Sequence, residues 1–295
     1  MTYPARLFVA LQWLLPKRWL SDLIGWLTRI EGGIATRFAI QAFIRIYDVD
    51  MRDAAAPDPA AYRSFNAFFT RALRSDARAL PDDTTVFVCP ADGTLSEFGN
   101  LTPDRLVQAK GIEYSLFDLF DGDAALAAMF EGGVFATIYL APYNYHRVHM
   151  PCSATARFVR HVPGDLFAVN AATAQGVPHL FCRNERTITV FEVGPHKLAM
   201  IMVGALNVGS IELVLPRDEP ARNRPHSTMV PHFTLAQDGP TLARGAEFGR
   251  FNMGSTVIVV ASRDWLVWQN GARGGAAVRL GDPLAQDVSA DHCRR

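Results

Sequence analysis

Three short segments of this chain hold residues whose types could carry out chemistry: Pro90-Ala91-Asp92-Gly93, Tyr145-His146-Arg147-Val148-His149-Met150-Pro151, and Gly249-Arg250-Phe251-Asn252-Met253-Gly254-Ser255-Thr256. Each has a plainer reading on its own. Asp92 before Gly93 is a common turn pair. His146 and His149 have the spacing of a metal pair, but they follow an expected strand, and the glutamate of the helical zinc-protease motif is missing. A buried structural imidazole is the simpler role for either, and no metal site is assigned. Ser255 does not sit in a Gly-x-Ser-x-Gly elbow, because residues 253 to 257 read Met-Gly-Ser-Thr-Val. Together, however, the segments supply a carboxylate, an imidazole and a hydroxyl in the chain order Asp, His, Ser. That is the inventory of an orienter, a base and a nucleophile for hydrolysis or acyl transfer.

The elements that must position these groups change character along the chain. From Lys17 to Ile30 the 3.6-residue period gathers Trp19, Leu20, Leu23, Ile24, Trp26, Leu27 and Ile30 on one face, with Pro16 placed to start the helix. Further helical periods run over Arg37 to Tyr47 and over Ser64 to Arg74, the latter with Ser64 as its cap. After Pro81 the pattern turns to short apolar or alternating runs. Val86 to Cys89, Val134 to Leu140, Ala156 to His161, Thr187 to Glu192, Lys197 to Val203, Ser210 to Leu215 and Thr256 to Ala261 read as strands. Many strands without regularly interposed helices predict an α+β chain, with a β-sandwich or barrel-like core behind N-terminal amphipathic helices. The charged, proline-rich stretch Pro216 to Pro231 reads as a mobile surface loop.

Composition narrows the function classes. The 295 residues contain 29 Lys and Arg against 29 Asp and Glu, and 49% are apolar. Such a chain buries a core and is not globally disordered. Zero net charge leaves no electrostatic footprint for nucleic acid, which is excluded as a partner. No apolar run reaches the length of a membrane span, and no signal peptide is legible, so a cytoplasmic location is expected. Cys89, Cys152, Cys182 and Cys293 lie far apart and read as reduced thiols.

The helix over residues 17 to 30 leaves two readings open. Its apolar face could pack on the β-core. Alternatively, two tryptophans on that face, with Arg6, Lys17, Arg18 and Arg29 against Asp22 in residues 1 to 30, mark a helix that lies on anionic lipid.

The segment Tyr145 to Pro151, together with Val162-Pro163-Gly164-Asp165-Leu166-Phe167, Asn184-Glu185-Arg186, Val203-Gly204-Ala205, Val208-Gly209-Ser210-Ile211 and the terminal Gly254-Ser255-Thr256, resembles the bacterial pyruvoyl-dependent phosphatidylserine decarboxylases over roughly residues 60 to 285. Two departures are visible. Met253 stands where the family usually has Leu, which conserves volume. Arg244 before Gly245 replaces a Lys, which keeps charge but not hydrogen-bond geometry.

The resemblance implies a self-made prosthetic group. Ser255 would attack the carbonyl of Gly254, with His149 taking its proton and Asp92 orienting the imidazole, and the chain would part into residues 1 to 254 (beta) and 255 to 295 (alpha). Ser255 would become a pyruvoyl group that forms a Schiff base with phosphatidylserine and releases carbon dioxide and phosphatidylethanolamine. His146 would contact the substrate. Residues 1 to 75 would form a membrane-contacting helical region and 76 to 295 the catalytic core. The enzyme would be an alpha–beta heterodimer, alone or in a higher oligomer, held peripherally at the cytoplasmic face of the cell membrane. A conventional serine hydrolase with Ser255 as nucleophile, and a lipid-surface binding module, are the competing readings.

Overall fold

The computed structural model describes residues 2–109, 111–206, 210–215, 233–234, 239–253 and 255–289. The loop expected over 216 to 231, Val208, Gly209, Gly254 and Cys293 therefore lie outside the described residues. Three helices open the chain: α1 (Tyr3–Leu14), with a proline in its first turn, α2 (Lys17–Thr28) and α3 (Ile34–Tyr47). Gly33, at φ 54°, turns the chain into α3 three residues earlier than the periodicity indicated.

The packing of these helices shows which side of the amphipathic segment meets the protein. In α2 the buried residues are Ser21 and Gly25, whereas Trp19 is 65% and Trp26 55% exposed. The small side, Ser21 and Gly25, faces the protein, Leu20, Leu23 and Ile24 are half-buried, and Trp19, Trp26, Leu27 and Ile30 face out. Helix α1 repeats this inversion: Gln12 is buried, with Nε2 donating to Thr173 Oγ1 (3.1 Å) and Oε1 accepting from the Ala168 amide (2.8 Å), while Leu7, Leu11, Trp13 and Leu14 are exposed. Ile34, Phe38 and Ile46 of α3 are exposed as well. The apolar face of α2 does not pack on the β-core.

Helix α4 (Phe65–Phe69) is shorter than the period suggested. Ser64 caps it, its Oγ accepting from the Ala67 amide at 3.1 Å. Beyond Phe69 the backbone finds partners elsewhere: Ala55 N–H donates to Ala72 O and Arg74 N–H to Asp53 O, each at 2.9 Å, so residues 71 to 74 run extended beside 53 to 55.

Nine strands frame the site: β1 (Gly93–Asn100), β2 (Val134–Leu140), β3 (Arg147–His149), β4 (Ala154–Val162), β5 (Arg186–Val193), β6 (His196–Val203), β7 (Ser210–Leu213), β8 (Glu247–Asn252) and β9 (Ser255–Ala261). The main sheet is antiparallel in the order β4-β5-β6-β9-β2-β1, extended at its edges by Ala276–Val278 beside β1 and by Phe233–Thr234 and Thr241–Leu242 beside β4. Strand β9 is its central element and is buried throughout. Its alternation supplies both faces: Ile258 and Val260 join a cluster with Phe120, Phe130 and Ile188, and Val257 and Val259 join one with Val148, Met150 and Phe251. A three-stranded sheet, β7-β8-β3, lies on the second face. The α+β, β-rich expectation is what forms.

Candidate active site

Ser255 is the first residue of β9, opposite Leu140 of β2, and is 1% exposed. Its Oγ has no hydrogen-bond partner among the described residues. A buried hydroxyl left unpaired is costly, and the Thr137, Thr187, Thr189 and Thr256 hydroxyls of the same sheet share that condition. Met253, two residues earlier, has φ 91°, in the left-handed region that disfavours a residue with a Cβ. Strain of this kind costs on the order of 1–3 kcal/mol and persists only where the surroundings impose it. The imposing contacts fall on Asn252. Its Oδ1 accepts from Asn66 Nδ2 of α4 (3.0 Å), and its Nδ2 donates to Ser210 Oγ (2.8 Å), which also accepts from Arg29 Nη2 at the end of α2 (3.1 Å).

Asp92 reaches the same end of the sheet. Thr94, Tyr139 and Thr256 stand in one row across β1, β2 and β9, so Asp92 and Ser255 both lie just outside that row, two strand spacings apart. Gly93 allows this: a Cβ there would come within 2.4 Å of Tyr139 O. The Asp92 carboxylate is gripped by Arg78, with Nε to Oδ1 at 3.1 Å and Nη2 to Oδ2 at 2.5 Å, and it accepts the Leu280 amide at 2.8 Å. Arg78 also pairs with Asp53 through Nη1 (2.6 Å). Burial works against the Arg78 charge, but the two carboxylates outweigh it and raise its pKa.

His149 lies on β3, opposite Glu247 of β8. Its Nδ1 faces Gly245 O at 2.8 Å and its Nε2 faces the Tyr145 hydroxyl at 2.9 Å. A carbonyl can only accept, so Nδ1 carries the proton and Nε2 accepts from Tyr145. Burial lowers the His149 pKa, against the Gly245 carbonyl and the charges of Glu247 and Asp92, leaving a neutral imidazole with a basic nitrogen. Gly245 itself is fixed from Arg244, whose guanidinium donates to the carbonyls of Pro81 (2.6 Å) and Asp83 (2.6 Å). Arg244 thus uses its fork as a clamp.

His146 is fully buried and packed against Phe69, ring centroids 4.0 Å apart with the planes tilted by 38°. Its Nδ1 donates to Asn144 O (2.8 Å), and its Nε2 has no partner among the described residues. Burial pushes its pKa down to about 3, opposed by the Asn144 carbonyl and helped by the Arg71 charge. His146 O accepts the Phe251 amide at 3.0 Å, which sets it closer along the ladder to Ser255 than His149.

Asp92, His149 and Ser255 are therefore gathered around one end of the sheet but are not joined as a hydrogen-bonded relay. Arg78 occupies the carboxylate that was expected to orient His149, and the Gly245 carbonyl orients it instead. Among the described residues a cleft of about 350 Å³ opens on His149, Tyr145, Arg147, Arg78 and Glu247. Arg78 and Gly245 were not assigned roles from sequence, since the bonds that place them span residues 14 and 96 positions apart. Tyr145 was within the histidine segment, and its polar tip four residues from His149 was the signal available.

Comparison with known proteins supplies the context for this geometry. The family model described as phosphatidylserine decarboxylase matches residues 65–286, and a second, described as PSD, matches residues 7–48. The chain is 43% identical over 286 residues to the phosphatidylserine decarboxylase proenzyme of Klebsiella pneumoniae (strain 342), covering 96% of this chain and 88% of that protein. It is 44% identical over 281 residues to the proenzyme of the same name from Nitrosococcus oceani, covering 95% and 90%. The Shewanella baltica (strain OS185) proenzyme is 44% identical over 285 residues, covering 96% and 98%.

Proposed function

Given that the chain belongs to the phosphatidylserine decarboxylase family, we propose that it is made as a proenzyme, cuts itself between Gly254 and Ser255, and then decarboxylates phosphatidylserine to phosphatidylethanolamine through a pyruvoyl group derived from Ser255. The observation that carries this reading is the buried Ser255 hydroxyl, unpartnered and two residues past a backbone at φ 91°. The position fits conversion to a carbonyl, because losing the hydroxyl breaks no existing hydrogen bond.

In the cut, Ser255 Oγ bonds to the carbonyl carbon of Gly254, the amide nitrogen leaves, and an ester replaces the peptide bond. A base takes the hydroxyl proton, and the released nitrogen gains one. His149 suits the base because burial keeps it neutral and Gly245 fixes its tautomer. Asp92 contributes a negative charge that favours the imidazolium once formed. Removal of the Ser255 α-proton then expels the Gly254 carboxylate, and water displaces ammonia from the remaining N-terminus. The pyruvoyl group, once present, supplies an electron-withdrawing carbonyl that accepts the electron pair left by departing carbon dioxide. His146, kept neutral by burial, contacts the substrate through its Nε2, which has no partner among the described residues.

One observation favours a second assignment of the base. His149 Nε2 is engaged by Tyr145, whereas His146 Nε2 has no partner among the described residues and the His146 backbone carbonyl is bonded to the Phe251 amide. If His146 is the base, His146→Ala stops the cut and His149→Ala does not.

Residues 1 to 75 serve as the membrane-contacting region and 76 to 295 as the catalytic core, with residues 1 to 254 and 255 to 295 staying together as a heterodimer. No helix among the described residues is long and apolar enough to cross a membrane. The outward apolar faces of α1 to α3 support peripheral attachment, which we place at the cytoplasmic face of the cell membrane. Intact-mass measurement tests the scheme: the purified protein gives two chains parted at 254/255, and Ser255→Ala gives one full-length chain. Two fragments from Ser255→Ala would overturn it.

A further inference from the structure

Arg71 is the guanidinium whose environment the scheme above leaves unexplained. It is 4% exposed; among the described residues its Nε has no partner, its Nη2 donates to Tyr143 O at 3.3 Å, and its guanidinium lies 5.4 Å from the centre of the Phe68 ring. No carboxylate pairs with it among the described residues. Other buried arginines here are saturated. Arg186 gives Nε to Leu119 O (2.8 Å), Nη1 to Cys182 O (2.5 Å) and Nη2 to Asp118 O (3.0 Å), and Arg78 is filled by Asp92 and Asp53. A buried cation with spare donors is disfavoured unless an anion joins it.

Its location says which anion. Tyr143 belongs to the loop that leaves β2 at Leu140, the residue opposite Ser255, and runs to His146. Arg71 and Tyr143 line a cleft of about 220 Å³ with Asp92 and Arg279. Of the acids there, Asp50 is paired with Arg52 and both Asp53 and Asp92 with Arg78, while Asp48 also lines the cleft with Arg279. Arg71 adds a donor fork suited to two oxygens of one anion.

We propose that Arg71 receives the phosphodiester of the glycerophospholipid substrate, an inference that rests on the decarboxylase reading. The substrate carries a second anion, the carboxylate, but a cation there would stabilise a charge that disappears as carbon dioxide leaves, holding the ground state more than the transition state. The phosphodiester keeps its charge throughout, so an arginine on it binds without slowing the reaction. The neutral His146 and the Phe69 ring leave the carboxylate in surroundings that favour its loss.

The test uses the full-length, matured protein and two substrates: dihexanoyl phosphatidylserine, and O-hexyl-L-serine, which has the amine and carboxylate but no phosphate. Arg71→Gln matures normally, loses about 30-fold in kcat/KM on the phospholipid, mostly through KM, and stays within twofold of the unmodified protein on O-hexyl-L-serine. Arg71→Lys falls between. Calorimetric titration with glycerophosphoethanolamine gives a matching loss of affinity in Arg71→Gln, while inorganic phosphate binds far more weakly than glycerophosphoethanolamine. Equal losses on both substrates would assign Arg71 to the carboxylate and overturn the proposal, equal affinity for inorganic phosphate would make the cleft a free-phosphate site, and failure of both variants to fold or mature would make Arg71 structural. Should the unmodified protein release no carbon dioxide from either substrate, the decarboxylase reading fails, and the titration still decides the role of Arg71.

Discussion

Arg78 holds Asp92 through two parallel hydrogen bonds, and the same guanidinium reaches Asp53, so the carboxylate at the mouth of β1 is fixed by a residue fourteen positions before it. Both partners of the Arg78–Asp92 pair are about one-tenth exposed. Arg78→Ala therefore leaves a nearly buried carboxylate uncompensated, and we expect a stability loss of about 3 kcal/mol in urea unfolding. Self-cleavage followed on a denaturing gel should slow in the same variant. A variant with unchanged stability and unchanged cleavage would remove Arg78 from the site.

The buried, neutral His146 makes stability depend on pH. Its folded pKa lies near 3, below the unfolded value of about 6.5, so the unfolded chain binds the proton first as pH falls. Stability is complete above the unfolded pKa and declines from there toward pH 3, by about 2 kcal/mol at pH 5. His146→Gln should flatten that part of the curve relative to the unmodified protein. Identical slopes for the two proteins between pH 7 and 5 would contradict the burial argument.

The outward faces of α1 and α2 predict where the protein goes in a mixed system. Trp19, Trp26 and Leu27 are each at least half exposed, so replacing all three with Ser should cost little fold stability. Partition onto anionic vesicles should fall on the order of 100-fold in a sedimentation assay. Unchanged sedimentation would mean that these side chains do not meet lipid.

Ser210 joins Arg29, at the end of α2, to Asn252, three residues before the proposed nucleophile. Ser210→Ala should leave global stability within about 1 kcal/mol. With Asn252 held from one side only, the half-time of self-cleavage should lengthen about fivefold. Cleavage at the original rate would show that the link does not position the loop.

Much of the fold was legible because strand alternation and helix period report burial directly. Val134 to Leu140, Lys197 to Val203 and Thr256 to Ala261 appear as strands within a residue or so of where their patterns placed them. Strand β1 was not, since Gly-Thr-Leu-Ser-Glu-Phe-Gly-Asn is polar and glycine-bearing and its register shifts between Leu95 and Glu97. Periodicity found the amphipathic α2 but could not say which side meets the protein, because a period has no sign. Of the site, the reactive residue types were readable, whereas the carbonyl that orients His149 belongs to Gly245 and has no side-chain signature.

Strand β9 is bonded on one side to β2 from Ser255 to Ala261 and on the other to β6 from Thr256 to Ala261. A cut in front of it would sever the covalent thread while leaving the middle plank of the sheet nailed to both neighbours. The 41-residue fragment could then depart only by unzipping two ladders at once, baring two long apolar strand edges to solvent. Maturation of this kind is one-way in a mechanical sense: the pieces share a single melting transition, and a chain built to end at residue 254 would begin life with a slot where its centre should be.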